Sequence, residues 1–189
     1  MKFKFLLFFF ISIYSHAQKP CDFTTNVTDS LGTYMATKDY LVYEKNFAGN
    51  SSYIFYSIIV ADGAPSLTLQ LIEKSNDFIR ARCFDRNSKV YMQLNNGKIV
   101  TFFHIDEESC GTMVKDDKGF YNRVTSGYFA FRKEDYAELK TSPVSLIKIK
   151  FTMETSDYLI KKEFKSELNN DTYDPENYFI NYLHCIDGK

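Results

Sequence analysis

Short runs of β-type residues, separated by turn residues, restrict this chain to a fold built mainly from antiparallel strands. The runs follow one another at near-regular spacing, as they do in an antiparallel sandwich or barrel. The strand candidates are residues 52–61, 66–73, 78–84, 89–95, 98–104, 124–131, 146–153 and 158–164. Aromatic residues make up 17% of the chain, and Tyr and Phe suit pleated, half-buried strands. We expect an α+β fold, mainly an antiparallel β sandwich or barrel-like sheet.

The strongest local turn signal is Asn96-Gly97, which lies between the runs 89–95 and 98–104. Both residues accept positive φ, so the pair predicts a two-residue type I′ hairpin in which Leu94 pairs with Ile99. Alternation then gives one face of Val90, Met92, Leu94, Ile99 and Phe103, and an opposite face of Tyr91, Val100 and Phe102 with His104 at its end. Both faces carry large apolar groups, so we expect this hairpin to lie inside the sheet.

Two segments break the β pattern. Residues 133–140 predict one short internal helix that Pro143 limits. A C-terminal helix is predicted from Asp174 at the N-cap and Pro175 at the first helical position. Its apolar stripe consists of Phe179, Tyr182, Leu183 and Ile186, with Cys185 beside it.

The first 17 residues have the pattern of a secretory signal peptide. Lys2 and Lys4 precede an apolar run over residues 5–14, and Ser15-His16-Ala17 is a small-x-small ending. The run is shorter than the about 20 residues that cross a bilayer. No later apolar run approaches that length, so we expect residues 18–189 to form a single domain without a membrane span. Residues 18–30 are polar and predict a loose or edge-attached arm.

Four cysteines follow the predicted leader, an even number that predicts two disulfides in an exported chain. Free buried thiols are the alternative, while the wide gaps lack the close pairs typical of zinc sites. In a meander of residues 78–84, 89–95 and 98–104, the ends of the first and third strands lie on the same side. We therefore expect Cys83 to pair with Cys110, and Cys21 with Cys185.

Charge and motif content exclude several classes of function. Without residues 1–17 the chain has 21 basic and 24 acidic residues, so a nucleic-acid partner is not expected. No phosphate-binding glycine loop or G-x-S-x-G elbow occurs, and we expect no cofactor and no catalytic residue. The remaining partner classes are a protein, a peptide or a glycan.

His104 is the one candidate for metal or acid–base chemistry. It ends a strand run, and Asp106 follows closely, so the two are candidate metal ligands, with His104 also a candidate general base. Polar loops that leave strands often carry such residues, and no second arm of a metal site is visible. We expect His104 to be structural or incidental, and His184 to lie on the surface of the terminal helix.

Three tyrosine-rich segments, residues 34–43, 53–56 and 173–182, have a second possible role. Tyrosine combines an apolar ring with a polar tip, which suits recognition of a sugar or a peptide. Packing of the rings into the core, with hydroxyls at the rim, is the simpler interpretation. The sequence favours packing and leaves the binding surface open.

Several stretches resemble uncharacterised exported proteins of Bacteroidota across most of the mature chain. They are residues 74–85, 93–100, 139–144 and 175–180. The resemblance implies an exported location, periplasmic or secreted, and a shared fold, and it carries over no activity or functional residue. We therefore expect a non-enzymatic binding or structural protein of the periplasm or cell envelope. The alternative is a small exported hydrolase or a metal-dependent enzyme centred on His104.

Export is expected to remove residues 1–17 and to leave a protein that begins at Gln18, because signal peptidase cleaves after small-x-small endings. Intact-mass measurement of the exported protein checks this. A species that retains Met1, or that carries lipid on Cys21, would contradict it.

Overall fold

The computed structural model describes residues 19–30 and 32–186, so the predicted leader lies outside the described residues. The described chain forms thirteen strands: β1 Phe23–Asp29, β2 Gly32–Thr37, β3 Tyr40–Phe47, β4 Asn50–Ala61, β5 Ala64–Ser75, β6 Lys89–Leu94, β7 Ile99–His104, β8 Thr112–Lys115, β9 Tyr121–Ala130, β10 Val144–Lys150, β11 Thr155–Leu159, β12 Phe164–Lys165 and β13 Thr172–Tyr173. It also forms two short helices, α1 Tyr136–Leu139 and α2 Tyr178–Tyr182.

Eleven of these strands form one antiparallel sheet. Nine follow the order β1-β2-β4-β5-β9-β7-β6-β10-β11, and the other two, β3 and β8, pair with β4 and β9 beside this path. The long strand β4 pairs with β2 along one half of an edge and with β3 along the other half. Strand β9 shares an edge between β8 and β7 in the same way. The expected antiparallel α+β fold is confirmed, but the sheet is not closed into a barrel.

The sheet folds over a single hydrophobic core. Only two residue pairs, Phe103–Ala130 and His104–Phe129, join β7 to β9. The inward faces of the strands on both sides of this joint bury apolar side chains in one cluster, including Ile54, Tyr56, Leu67, Leu69, Val90, Met92, Phe102, Ile147 and Ile149. Across the open side of the sheet, the rings of Tyr43 in β3 and Tyr158 in β11 meet with centroids 5.0 Å apart.

The central hairpin of β4 and β5 is the part that local sequence determines best. Asp62 and Gly63 join the strands with φ values of 50° and 77°, as a type I′ turn requires. Eleven residue pairs follow, from Ala61–Ala64 back to Ser51–Lys74. The predicted strands 52–61 and 66–73 lie within these bounds.

The hairpin of β6 and β7 exists and lies inside the sheet, but its predicted register is wrong by one residue. Gln93 pairs with Ile99, and the loop contains three residues, which end at Gly97 with a φ of 84°. Since side chains alternate along a strand, the shift exchanges the faces of β7. The core face therefore carries Val100, Phe102 and His104, while Ile99 is 64% exposed.

Residues 78–84 do not form the strand that the meander assumed; their only ladder contact is the bridge from Phe84 to Ser109. Its two backbone hydrogen bonds, 2.8 and 3.0 Å long, bring this segment beside Cys110. The structure has disulfides between Cys83 and Cys110 and between Cys21 and Cys185. The second bond joins the N-terminal arm, which forms the edge strand β1, to the C-terminal segment.

Both predicted helices are present, and the C-terminal one is shorter than its apolar pattern suggested. Turns of 3₁₀ helix, Pro175–Asn177 and Leu183–Ile186, flank the five residues of α2. Asp174 does not cap it through a backbone N–H; its carboxylate accepts hydrogen bonds from the side chains of Asn177 and Asn181. Tyr178 is buried, together with three of the four predicted stripe residues.

Loss of the Cys21–Cys185 bond is expected to destabilise the protein more than loss of Cys83–Cys110. The bonds close loops of 164 and 27 residues, for which the chain-entropy estimate gives about 5 and about 3.5 kcal/mol. Urea unfolding of the paired variants Cys21→Ser/Cys185→Ser and Cys83→Ser/Cys110→Ser measures both. Non-reducing peptide mapping of exported protein is the control, and a Cys21–Cys83 peptide would contradict the pairing.

Candidate functional site

His104 lies at the end of β7 on the core face and is buried. Its ring packs against Phe84 and Phe129, with centroid distances of 5.7 and 5.2 Å. Neither ring nitrogen makes a hydrogen bond within the described residues. Burial lowers the pKa of His104, although Asp106 and the nearby Asp85 favour the protonated ring. The imidazole is therefore a neutral packing group at neutral pH.

The structure does not bring Asp106 and His104 together as a metal site. Asp106 is exposed, and its carboxylate accepts a hydrogen bond from the backbone of Glu107. Within the described chain, two groups place three metal-ligand atoms close together: Cys21, His184 and Cys185, and Cys83, Glu108 and Cys110. The cysteines of both groups are disulfide-bonded.

The tyrosine-rich segments 34–43 and 173–182 meet around an open cavity of about 560 Å³, which we call the Tyr40 cavity. Phe55 of β4, in the third segment, also lines it. The lining residues are Lys19, Asp22, Thr37, Lys38, Asp39, Tyr40, Phe55, Asn169, Asp171, Thr172, Tyr173, Tyr178 and Tyr182. Packing into the core is confirmed for Tyr56 and Tyr178, which are buried, while Tyr40, Tyr173 and Tyr182 are half-buried and line the cavity.

Tyr40 is the centre of the aromatic cluster. Its ring centroid lies 5.1 Å from that of Tyr173, 5.4 Å from Tyr178 and 5.2 Å from Tyr182. The backbone N–H of Asp174 donates a 2.8 Å hydrogen bond to the Tyr40 hydroxyl. Burial raises the pKa of Tyr40 to about 12, so the phenol is neutral at physiological pH.

Tyr178 lines the cavity, and its hydroxyl is buried. The side chain is 2% exposed, and the hydroxyl lies near Thr37 but meets no partner at hydrogen-bond geometry. The Thr37 hydroxyl already accepts a 2.8 Å hydrogen bond from the backbone of Ile58. Burial raises the pKa of Tyr178 far above its ordinary value, so its hydroxyl remains a neutral donor and acceptor.

Charged side chains surround the rings. Lys19 and Lys38 line the cavity together with Asp22, Asp39 and Asp171. The Lys19 ammonium lies over the Tyr40 ring, 5.8 Å from its centroid. Both signs of charge are thus present beside apolar ring faces.

The two ends of the described chain build this cavity jointly. Lys19 and Asp22 lie on either side of Cys21, whose disulfide to Cys185 fixes the arm against the C-terminal segment. A backbone hydrogen bond of 2.8 Å from Lys38 to Asp22 holds the arm beside β2. Asn169 contacts Asp171 and the Tyr173 hydroxyl through 2.8 and 2.7 Å hydrogen bonds, which order the opposite wall.

A second polar cluster, centred on Arg82, was not predicted. Its guanidinium pairs with Glu154 at 2.7 Å and Glu73 at 3.4 Å, and donates to the Tyr158 hydroxyl at 3.1 Å. Burial raises the pKa of Glu73 more than the neighbouring Arg82 lowers it. These groups come from separate elements without a shared motif, and they tie the segment before Cys83 to β5 and to the turn after β10.

Stability is expected to fall as the pH drops from 7 to 5, in part because of His104. Its pKa is lowered in the folded protein, so below the ordinary value of 6.5 the unfolded state binds more protons. Urea unfolding of His104→Leu should show a smaller pH dependence than the parent, and His184→Gln is the control. An unchanged pH dependence, or stoichiometric metal that elemental analysis finds in the parent alone, would contradict this role.

Comparisons with protein-family models, with curated proteins and with solved structures find no match to this chain. In the part of the chain that the structure describes, neither helix has the length and apolar character needed to cross a bilayer.

Proposed function

We propose that this chain is an exported, non-enzymatic binding protein of the periplasm or cell envelope, and that it takes a peptide or glycan ligand in the Tyr40 cavity. The leader pattern of residues 1–17 supports export, and the two disulfides are compatible with an oxidising compartment. The cavity supports binding through its size and lining. Its volume of about 560 Å³ falls within the range of small-ligand sites.

The observation that carries the proposal is the set of three half-buried tyrosine rings, those of Tyr40, Tyr173 and Tyr182, that line the cavity. The rings offer apolar faces to the carbon atoms of a ligand. Asn169 and Thr172 also line the cavity and offer polar side chains to the polar groups of the ligand.

The lining favours recognition over catalysis. It includes no histidine, the most frequent general base, and no cysteine or serine. The alternative of an enzyme centred on His104 has no support in the geometry, because that ring is enclosed by Phe84 and Phe129. None of the four described cavities has His104 in its wall.

Ligand binding is expected to perturb the cavity tyrosines first. We would label the tyrosine rings with ¹³C and titrate the mature protein with a panel of neutral oligosaccharides and of uncharged tripeptides with acetylated N-termini and amidated C-termini. Phe55→Ala and Tyr173→Ala should each weaken binding up to about tenfold, since an aromatic contact contributes about 0.5–1.5 kcal/mol. Tyr128→Ala removes an exposed tyrosine outside the cavity lining and is the matched control.

Thermal unfolding of each variant establishes that it is folded before its affinity is interpreted. If the panel shifts only tyrosines outside the Tyr40 cavity, or if Tyr128→Ala weakens binding as much as Tyr173→Ala, the cavity is not the site. Absence of any shift across the panel would also reject the proposal.

A further inference from the structure

The ring faces around Tyr40 have the chemistry of a cation site. An aromatic ring is electron-rich on its face and attracts an ammonium group within about 6 Å of the centroid. Three half-buried tyrosines, Tyr40, Tyr173 and Tyr182, meet in the Tyr40 cavity. Recognition of alkylammonium groups by clustered aromatic rings is a general use of this arrangement.

The carboxylates add a negative field to the same space. Asp22, Asp39 and Asp171 outnumber the two lysines that line the cavity. After the larger effect of burial, Asp22 further raises the pKa of Tyr182, and Asp39 that of Tyr178. These directions accord with the position of the two carboxylates in the lining of the cavity, because a negative charge disfavours ionisation of a nearby phenol.

One ammonium already occupies a ring face. Lys19 Nζ lies over Tyr40, 5.8 Å from the centroid. No carboxylate of the described residues lies within ion-pair distance of Lys19. Lys19 belongs to the arm that precedes Cys21, so it remains tethered to the cavity.

We propose that the Tyr40 cavity recognises an alkylammonium group, such as the side chain of a lysine in a peptide, and that Lys19 takes its place when no ligand is bound. This inference rests on the proposed function. Lys19 and Lys38 would favour an anion, but an anion would face the three carboxylates and the negative ring faces.

Titration of the mature protein with matched probes tests the charge requirement. Nα-acetyl-lysine methylamide should shift the ring signals of Tyr40, Tyr173 and Tyr182. Nα-acetyl-norleucine methylamide, which lacks the ammonium, should bind at least about tenfold more weakly. Titrations with choline and with glucosamine compare the affinity of the cavity for a quaternary ammonium and for an amino sugar with its affinity for the lysine side chain.

Substitutions of Lys19 and of Asp39 are expected to change the affinity for the lysine probe in opposite directions. Lys19→Gln should tighten binding of the lysine probe several-fold, because it removes the internal competitor and one positive charge. Asp39→Asn should loosen it several-fold, because it removes part of the attracting field. Asp117→Asn, an exposed carboxylate outside the cavity lining, should leave the affinity unchanged and is the matched control.

The outcomes separate this inference from the proposed function. Equal binding of the norleucine probe, or weaker binding in Lys19→Gln, overturns the ammonium inference. If neutral oligosaccharides or neutral tripeptides bind in the cavity while the lysine probe, choline and glucosamine all fail to bind, the proposed function stands and this inference is rejected. If no probe of either experiment shifts the cavity tyrosines, both are rejected.

Discussion

The covalent bond between Cys21 and Cys185 determines how the two ends of the described chain meet, and the Tyr40 cavity depends on that meeting. The β1–β2 ladder begins only at Phe23, so the ladder alone does not hold the residues before it. The C-terminal segment is anchored separately, through the buried Phe179, Leu183 and Ile186. The bond, across 164 residues, fixes one wall against the other in the folded protein, and it stabilises the fold mainly by restricting the unfolded chain.

The same tyrosines stabilise the fold and shape the cavity. Tyr178 contacts Tyr56 and Phe179 on its core side, with centroid distances of 5.6 and 5.2 Å, and contacts Tyr40 on its outer side at 5.4 Å. Burial raises the pKa of both Tyr56 and Tyr178, so both phenols stay neutral. The hydroxyls of both Tyr56 and Tyr178 are buried without a partner, which is uncommon in native proteins. Only Tyr178 has its side chain in the wall of the cavity.

The β-type runs 52–61 and 66–73 predicted β4 and β5 nearly to their ends, and Asp62-Gly63 forms the tight turn between them. The preceding hairpin was missed because its turn includes Ala48 at a φ of 48°, a conformation that alanine rarely adopts. Asn96-Gly97 marked the right turn, but a three-residue loop replaced the two-residue one and exchanged the faces of β7. The cavity could not be predicted from the sequence, because only the tertiary fold brings its walls together. These walls come from residues 19–22, 37–40, 55 and 169–182.

Because Lys19 is tethered beside the Tyr40 cavity, it affects which ligands the cavity binds most tightly. A group on a short flexible tether competes at an effective concentration on the order of millimolar, and Lys19 lies only two residues before the disulfide. A small free amine replaces one ammonium by another and gains little beyond that exchange. A longer ligand that also contacts Phe55 and Tyr173 adds aromatic surface that Lys19 does not use. Competition from Lys19 therefore makes a lysine within a longer peptide bind more tightly than the single-residue lysine probe, because the peptide gains additional contact when it displaces Lys19.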